Sequence, residues 1–116
     1  MLPKNRRISR RVFPYILSNS KRYNSLELLL YIAPIEQGTK SKESRVSFSV
    51  SKKIYSKAVD RNKRRRWGYS IISKNFKNIK SGIYLFFSFK KTPNQTTFSV
   101  LEKNITELLS ISGVLI

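Results

Sequence analysis

The sequence contains no cysteine and no histidine. Without cysteine there is neither a disulfide framework nor a thiolate metal site. Without histidine the chain lacks the usual general base, the usual nitrogen ligand of metals, and every Ser-His or Cys-His nucleophile pair. Only six acidic residues are present, and they are scattered without an evident catalytic pair. Catalysis by the side chains of this protein alone is therefore not expected.

Long apolar runs and glycine-rich motifs are also absent. No apolar stretch approaches the roughly 18–20 residues needed to span a bilayer, and the first residues lack the apolar region of a signal peptide. The four glycines form no phosphate-cradling motif. These absences favour a cytoplasmic protein that is not a membrane protein.

Positive charge is what the chain has in excess. Its 24 Lys and Arg residues oppose 6 Asp and Glu residues, a formal net charge of +18. Such an imbalance destabilises a compact domain by self-repulsion and indicates a polyanionic partner. Nucleic acid is the first candidate and an anionic membrane surface the second. Because 40% of the residues are hydrophobic and 12% aromatic, a disordered basic tail is excluded, and we expect a single domain over residues 1–116.

The spacing of apolar residues predicts an α+β fold, a mostly antiparallel sheet with helices packed on it. The order is α-β-β-α-β-α, with room for one more short strand. The expected elements are a helix from about 10 to 19, strands at 25–33 and about 45–51, a long helix from about 57 to 80, a strand at 83–89, and a final helix capped by Thr97 or Ser99. In the long helix, the predicted core stripe is Val59, Tyr69, Ile72, Phe76 and Ile79.

The stretch from 45 to 67 is the most distinctive part of the sequence. In its strand, Val46, Phe48 and Val50 point to one side and three serines to the other. A strand face of serines is typical of a surface open to solvent or to a ligand. From Arg61 to Arg66, five of six residues are cationic and the sixth is Asn62.

This cationic run has an ordinary interpretation as a solvated helix face. Solvated faces usually mix charge signs in i,i+4 pairs, however, and here Asp60 is the only acid nearby in the sequence. The planar fork of arginine suits phosphate and guanine edges. The run therefore predicts RNA or DNA binding. Phe13 and Tyr31 could add aromatic platforms for bases beside the serine face, although the residues alone favour ordinary core positions for both.

A two-part motif resembles the signature of the bacterial ribonuclease P protein subunit. The first part is Arg45-Val-Ser-Phe-Ser-Val-Ser-Lys-Lys53, and the second is Ala58-Val-x-Arg-Asn-Lys-x-Arg-Arg66. The Leu2-Pro-Lys-x-x-Arg start, the Leu-Leu-Tyr31 strand and the final amphipathic helix occur in the family's order. The resemblance implies a two-layer α/β sandwich with a left-handed β-α-β crossover, similar to the second domain of a small-subunit ribosomal protein.

The resemblance also implies a function. The protein would bind a catalytic RNA and the 5′ leader of precursor tRNA, one monomeric copy per RNA, and would assist Mg²⁺-dependent removal of the leader. The catalytic centre and its Mg²⁺ ions would lie in the partner RNA. The alternative is a structural RNA-binding protein of ribosomal type, with no role in catalysis.

Residue by residue, the resemblance assigns two groups of positions. Those implied to contact the catalytic RNA are Lys52, Lys53, Arg61, Asn62, Lys63, Arg65 and Arg66. Those implied to line the leader-binding cleft are Phe13 and Tyr31, with Ser47 and Ser49 as its floor. Four departures from the family pattern are Leu17 in place of a common second aromatic, Gly68 and Tyr69 after the motif, and Asp60, an acid that could orient Arg61 or Arg64.

Overall fold

A four-stranded sheet lies at the centre of the structure, a computed structural model that describes residues 6–38, 42–93 and 95–116. The strands are β1 (Lys21–Asn24), β2 (Leu28–Pro34), β3 (Arg45–Ser49) and β4 (Ile83–Phe89), and the helices are α1 (Phe13–Asn19), α2 (Ala58–Asn75) and α3 (Phe98–Ile111). Short 3₁₀ turns precede α1 at Arg10–Val12 and follow α2 at Phe76–Asn78. Among the described helices, none is long and apolar enough to cross a bilayer.

The strands lie side by side in the order β1-β2-β4-β3. β2 is antiparallel to both of its neighbours, whereas β3 and β4 are parallel. Since parallel neighbours need a crossover connection, α2 completes a β-α-β unit between them. The predicted α+β fold with helices packed on a mostly antiparallel sheet is confirmed.

Different helices pack against the two faces of the sheet. One face is buried in the main core beneath α2 and α3, and Leu30, Phe48 and Phe87 lie at its centre. On the other face a smaller cluster joins α1 to the sheet through Ile16, Ala33 and neighbouring apolar residues. Within β3 the predicted alternation is confirmed, because its apolar side chains are buried while Ser47 and Ser49 remain half-exposed.

The N-terminal segment covers the outer edge of β3. Arg7 forms a parallel bridge with Val46, and the Ile8 N–H donates to the Val46 carbonyl at 3.4 Å. The Arg6 guanidinium lies 4.4 Å from the centre of the Phe76 ring. This pairing protects an edge strand, and it also holds Arg6 beside the turn that follows α2 and Arg7 beside the exposed side of that helix.

Several predicted boundaries are wrong by a few residues. β2 begins at Leu28 because residues 25–27 form the hairpin turn, in which the Ser25 N–H donates to the Leu28 carbonyl at 2.9 Å. The preceding residues form β1, which supplies the additional short strand. α2 ends at Asn75, where the 3₁₀ turn begins, and not near 80. Thr97, rather than Ser99, caps α3 by accepting a hydrogen bond from the Val100 N–H.

The predicted core stripe of α2 is wrong at its first position. Val59 is 66% exposed, whereas the buried positions of the helix are Arg64, Gly68, Tyr69, Ile71 and Ile72. At about 100° per residue, a side chain five positions before Arg64 lies about 140° around the helix from it. Val59 therefore points away from the sheet.

Gly68 has a packing role that its low helix propensity conceals. A Cβ atom at this position would lie 2.6 Å from two ring carbons of Phe48. The Phe48 ring is itself fixed, stacked on Phe87 with 4.7 Å between centroids and in edge contact with Tyr69 at 5.2 Å. The absence of a side chain lets α2 approach β3 closely enough to seal the core.

We expect Gly68→Ala to lower the free energy of unfolding by about 1–2 kcal/mol, because overpacking against Phe48 outweighs the gain of about 1 kcal/mol in helix propensity. Denaturant unfolding measures the change. Ser70→Ala, at an exposed position of the same helix, is the matched control and should be neutral or slightly stabilising. In a Phe48→Leu background the cost of Gly68→Ala should shrink; an equal cost in both backgrounds would contradict the packing explanation.

Candidate RNA interface

The outer face of the sheet presents two rows of side chains that run across all four strands. The strand registers align Arg22, Tyr31, Phe86 and Ser47 in one row, and Asn24, Leu29, Ser88 and Ser49 in the next. Because residues two apart on a strand share a face, both rows lie on the side opposite α2 and α3. The serine face predicted from β3 is therefore part of a broader surface.

An aromatic cluster lies on this face. Phe13, from the start of α1, has its ring centroid 5.0 Å from that of Phe86. Tyr31 approaches the other side of the cluster, 5.5 Å from Phe86. All three rings are half-buried, so they are packed against one another while part of each remains accessible. The predicted pair of Phe13 and Tyr31 is thus joined by a third ring.

Phe86 is a site residue that the sequence interpretation missed. The sequence predicts a strand at 83–89 but assigns no side of the sheet to its aromatic residues. Its alternation with Ser88 was the available signal, because it places Phe86 and Ser88 on the same face as the serines of β3.

A groove of about 390 Å³ runs over Phe13, Phe86 and the two serines, and Tyr31 lies beside it rather than among its lining residues. Its lining includes Phe13, Leu17, Ser49, Phe86 and, from α2, Arg65. Leu17 is 50% exposed there, so this departure from the family pattern leaves a small aliphatic surface where a ring is common. A second depression of about 490 Å³ adjoins it over Phe13 and Ser47, with Arg7, Arg10 and Arg45 among its lining residues.

The exposed side of α2 forms a third depression, of about 690 Å³. Its lining is Arg7, Val59, Asn62, Arg65, Arg66 and Tyr69. The Asn62 side-chain oxygen accepts a hydrogen bond from Arg65, which holds that guanidinium in place. Since Arg65 also lines the groove over the aromatic cluster, the helix surface and the sheet surface meet at one side chain.

The remaining predicted cations lie apart from this depression. Arg61 donates from one nitrogen to the backbone carbonyls of Tyr55 and Ser56, at 2.9 and 2.8 Å. It therefore fastens the β3–α2 loop, on which Lys52 and Lys53 are exposed. Lys63 lies 5.2 Å from the Trp67 ring. The structure thus separates Arg61, Lys63 and the two loop lysines from the group formed by Asn62, Arg65 and Arg66.

Arg64, in the middle of the cationic run, is buried. Its side chain is 6% exposed and pairs with Asp60 at 3.5 Å. The guanidinium lies 4.4 Å from the Tyr55 ring and 5.2 Å from the Trp67 ring, and it donates to the Thr96 carbonyl at 3.3 Å. Asp60 therefore orients Arg64, one of its two predicted partners, and this arginine ties α2 to the loop before α3.

Within the described ranges, no group of three Asp, Glu, His or Cys side chains could hold a metal ion. Burial, followed by a hydrogen bond donated to Glu36 at 2.7 Å, raises the pKa of Tyr84 to about 12. This phenol stays protonated near neutral pH and serves as a fixed structural donor.

Fold and site together define a class, a small basic α+β domain in which a cationic helix adjoins an aromatic sheet face. The family model of Ribonuclease P matches residues 2–112, and the chain belongs to the ribonuclease P protein family. The ribonuclease P protein component of Prochlorococcus marinus (strain NATL1A) is 29% identical over 125 residues, which cover 98% of each chain.

Solved structures of two ribonuclease P proteins share the fold. The Staphylococcus aureus protein is 20% identical with a TM-score of 0.83, and the match covers 96% of this chain and 98% of that one. The Thermotoga maritima protein is 23% identical with a TM-score of 0.77, over 90% and 96% of the two chains. At these identities the likeness establishes the architecture, including the four-stranded sheet and three helices.

We expect Arg64→Ala to lower the free energy of unfolding by about 2–4 kcal/mol, because it removes a buried ion pair, two cation–π contacts and a hydrogen bond. Thermal or denaturant unfolding measures the loss. Arg66→Ala, which removes the same charge from an exposed position of the same helix, should change stability by less than about 0.5 kcal/mol. Equal effects of the two variants would show that Arg64 is an ordinary surface cation.

Proposed function

We propose that this chain is the protein subunit of a ribonuclease P, and that it binds both the catalytic RNA and the 5′ leader of precursor tRNA. The observation that supports this best is the junction at Arg65, where the cationic side of α2 meets the aromatic face of the sheet. A protein with these two adjoining surfaces can hold a folded RNA on one and a single strand on the other. Its role is to favour removal of the leader, which leaves the mature 5′ end of the tRNA.

The α2 surface suits a structured RNA. Asn62, Arg65 and Arg66 present one amide and two guanidinium groups around a single depression, and arginine binds phosphate in a bidentate manner. Lys52 and Lys53 add point charges from the loop that Arg61 holds. Lys63 extends the positive surface beside Trp67. Such contacts neutralise phosphate repulsion without reading sequence, so binding should weaken steeply with salt.

The sheet face suits a single strand. Stacking of a single-stranded base on an aromatic side chain contributes about 1–3 kcal/mol of binding free energy per base. Phe13, Phe86 and Tyr31 form an aromatic platform for such stacking. Ser47 and Ser49 offer hydroxyl groups beside the rings, which can bond to phosphates or 2′-hydroxyls. A mature tRNA lacks the leader and would not use this surface, so the protein would favour precursor over product.

We propose that the partner RNA, and not this chain, carries out the cleavage chemistry. The described carboxylates do not cluster into a Mg²⁺ site, so the residues present do not fit this cofactor, and we assign the Mg²⁺ ions to the RNA. The chain contributes positive charge and positioning. We further propose one copy of the chain per RNA and a cytoplasmic location.

The cognate catalytic RNA should cleave precursor tRNA faster at low Mg²⁺ when this protein is present, because the protein supplies part of the counter-charge. Single-turnover cleavage with and without the protein, over a range of Mg²⁺ concentrations, measures the effect. The stimulation should fade at high Mg²⁺. A protein that bound the RNA without stimulating cleavage at any Mg²⁺ concentration would instead be a structural RNA-binding protein of ribosomal type.

Two substitutions should separate the two surfaces. Arg66→Ala should weaken assembly with the catalytic RNA and lower the salt dependence of binding by about one unit of slope. Phe13→Ala should leave assembly intact and weaken precursor binding about 5- to 10-fold, as expected for losing one stacking platform. Arg65→Ala should do both. Val100→Ala, an apolar truncation on α3, is the control, and an unchanged preference for precursor over mature tRNA in Phe13→Ala would refute the cleft assignment.

A further inference from the structure

The aromatic row on the sheet ends in a cation at the β1 edge. Arg22 is the cross-strand neighbour of Tyr31, and its guanidinium carbon lies 5.2 Å from the centre of the Tyr31 ring. Tyr31 is in turn 5.5 Å from Phe86, which contacts Phe13. The planar groups thus follow one another across the sheet from α1 to the outermost strand.

The charge of Arg22 is available to a ligand. Arg22 is exposed, and it takes no part in the ion pairs that Arg6 forms with Glu43 and Arg64 with Asp60. The guanidinium lies beside the Tyr31 ring and, as part of an exposed side chain, remains open to a further planar group. Nucleobases stack on arginine planes as they do on aromatic rings, and the same group can bond to a phosphate.

Arg22 lies outside the groove, at the edge of the sheet opposite Ser47 and Ser49. At the α1 end, Leu17 supplies an aliphatic surface that is 50% exposed. Three strand spacings of roughly 4.8 Å separate β3 from β1, so the row extends about 14 Å from Ser47 to Arg22. A single strand that follows the row therefore meets its last planar group at the β1 edge.

We propose that Arg22 is a leader-binding residue, whose guanidinium stacks on one nucleobase beyond Tyr31 and contacts the adjoining phosphate. This inference rests on the proposed function, because it extends the same single-strand surface by one nucleotide. The ligand is single-stranded RNA, and base identity is not read by stacking alone.

The test uses the protein assembled with its catalytic RNA and compares three variants, Arg22→Ala, Arg22→Lys and Lys21→Ala. Lys21 is the matched control, since it is an exposed cation on the same strand but pairs with Ile32, on the opposite face. Dissociation constants are measured for precursor tRNA and for mature tRNA. Arg22→Ala should weaken precursor binding about 5- to 10-fold and leave mature tRNA unchanged, whereas Lys21→Ala should affect both equally and by less than twofold.

Arg22→Lys distinguishes stacking from charge. Lysine keeps the positive charge but lacks the planar group, so it should recover less than half of the loss in precursor affinity. A 2-aminopurine placed at successive leader positions gives a direct readout, because its fluorescence depends on how the base is stacked. We expect one position at which Arg22→Ala and Arg22→Lys both shift the fluorescence of the bound leader while Lys21→Ala does not.

Three outcomes would overturn the inference. They are full precursor affinity in Arg22→Ala, full recovery in Arg22→Lys with the leader fluorescence of the unmodified protein, and an equal loss in Lys21→Ala. If any of these occurs while Phe13→Ala still loses its preference for precursor, the leader surface stands and only its extension to β1 fails. If Phe13→Ala also behaves as the unmodified protein, the proposed leader surface itself is wrong.

Discussion

The contact between Phe48 and Gly68 determines where the cationic helix lies. The Phe48 ring occupies the space that a side chain at position 68 would need, so α2 can settle directly onto β3. The Phe48 N–H also donates to the Tyr69 hydroxyl at 3.4 Å, which fixes the rotation of the helix about its axis. Because the protein interior is close-packed and does not deform easily, this contact fixes the direction in which Asn62, Arg65 and Arg66 project from α2. A looser approach would separate the helix surface from the sheet face.

A net charge of +18 does not translate into one uniform binding surface. Arg64 packs against the rings of Tyr55 and Trp67, and Arg61 donates hydrogen bonds to carbonyls of the β3–α2 loop. Neither guanidinium is therefore fully available to a partner. Both uses lessen self-repulsion, because each draws a cation away from its neighbours and toward carbonyl or carboxylate oxygens. The i,i+4 pair of Asp60 with Arg64 is the local compensation that a run of like charges requires.

Patterns with a short period were readable from the sequence, and contacts between distant segments were not. The alternation in β3 gave its buried and open faces, and the two candidate caps, Thr97 and Ser99, gave the start of α3 to within two residues. The strand β1 has one half-buried side chain in four residues, so it shows no alternation and exists because β2 offers it an edge. The burial of Arg64 within the cationic run could not be read from the sequence for a related reason, because it depends on Thr96, which is 32 residues away.

The same limit applies to the candidate site. Motif residues could be named in advance, but their division into separate surfaces depends on the rotation of α2 and on the β3–α2 loop. Phe86 and Arg22 belong to the sheet face only because their strands pair in the observed register with Tyr31. A register shift of one residue would turn both away from it. The strand pairing therefore sets the direction of the side chains on the single-strand surface, just as the Phe48 contact sets the direction of those on α2. Arg65, common to both surfaces, lies where these two constraints meet, so a strand bound on the sheet and an RNA bound on the helix would share one counter-charge. On the proposed function, this sharing couples the grip on the leader to assembly with the catalytic RNA.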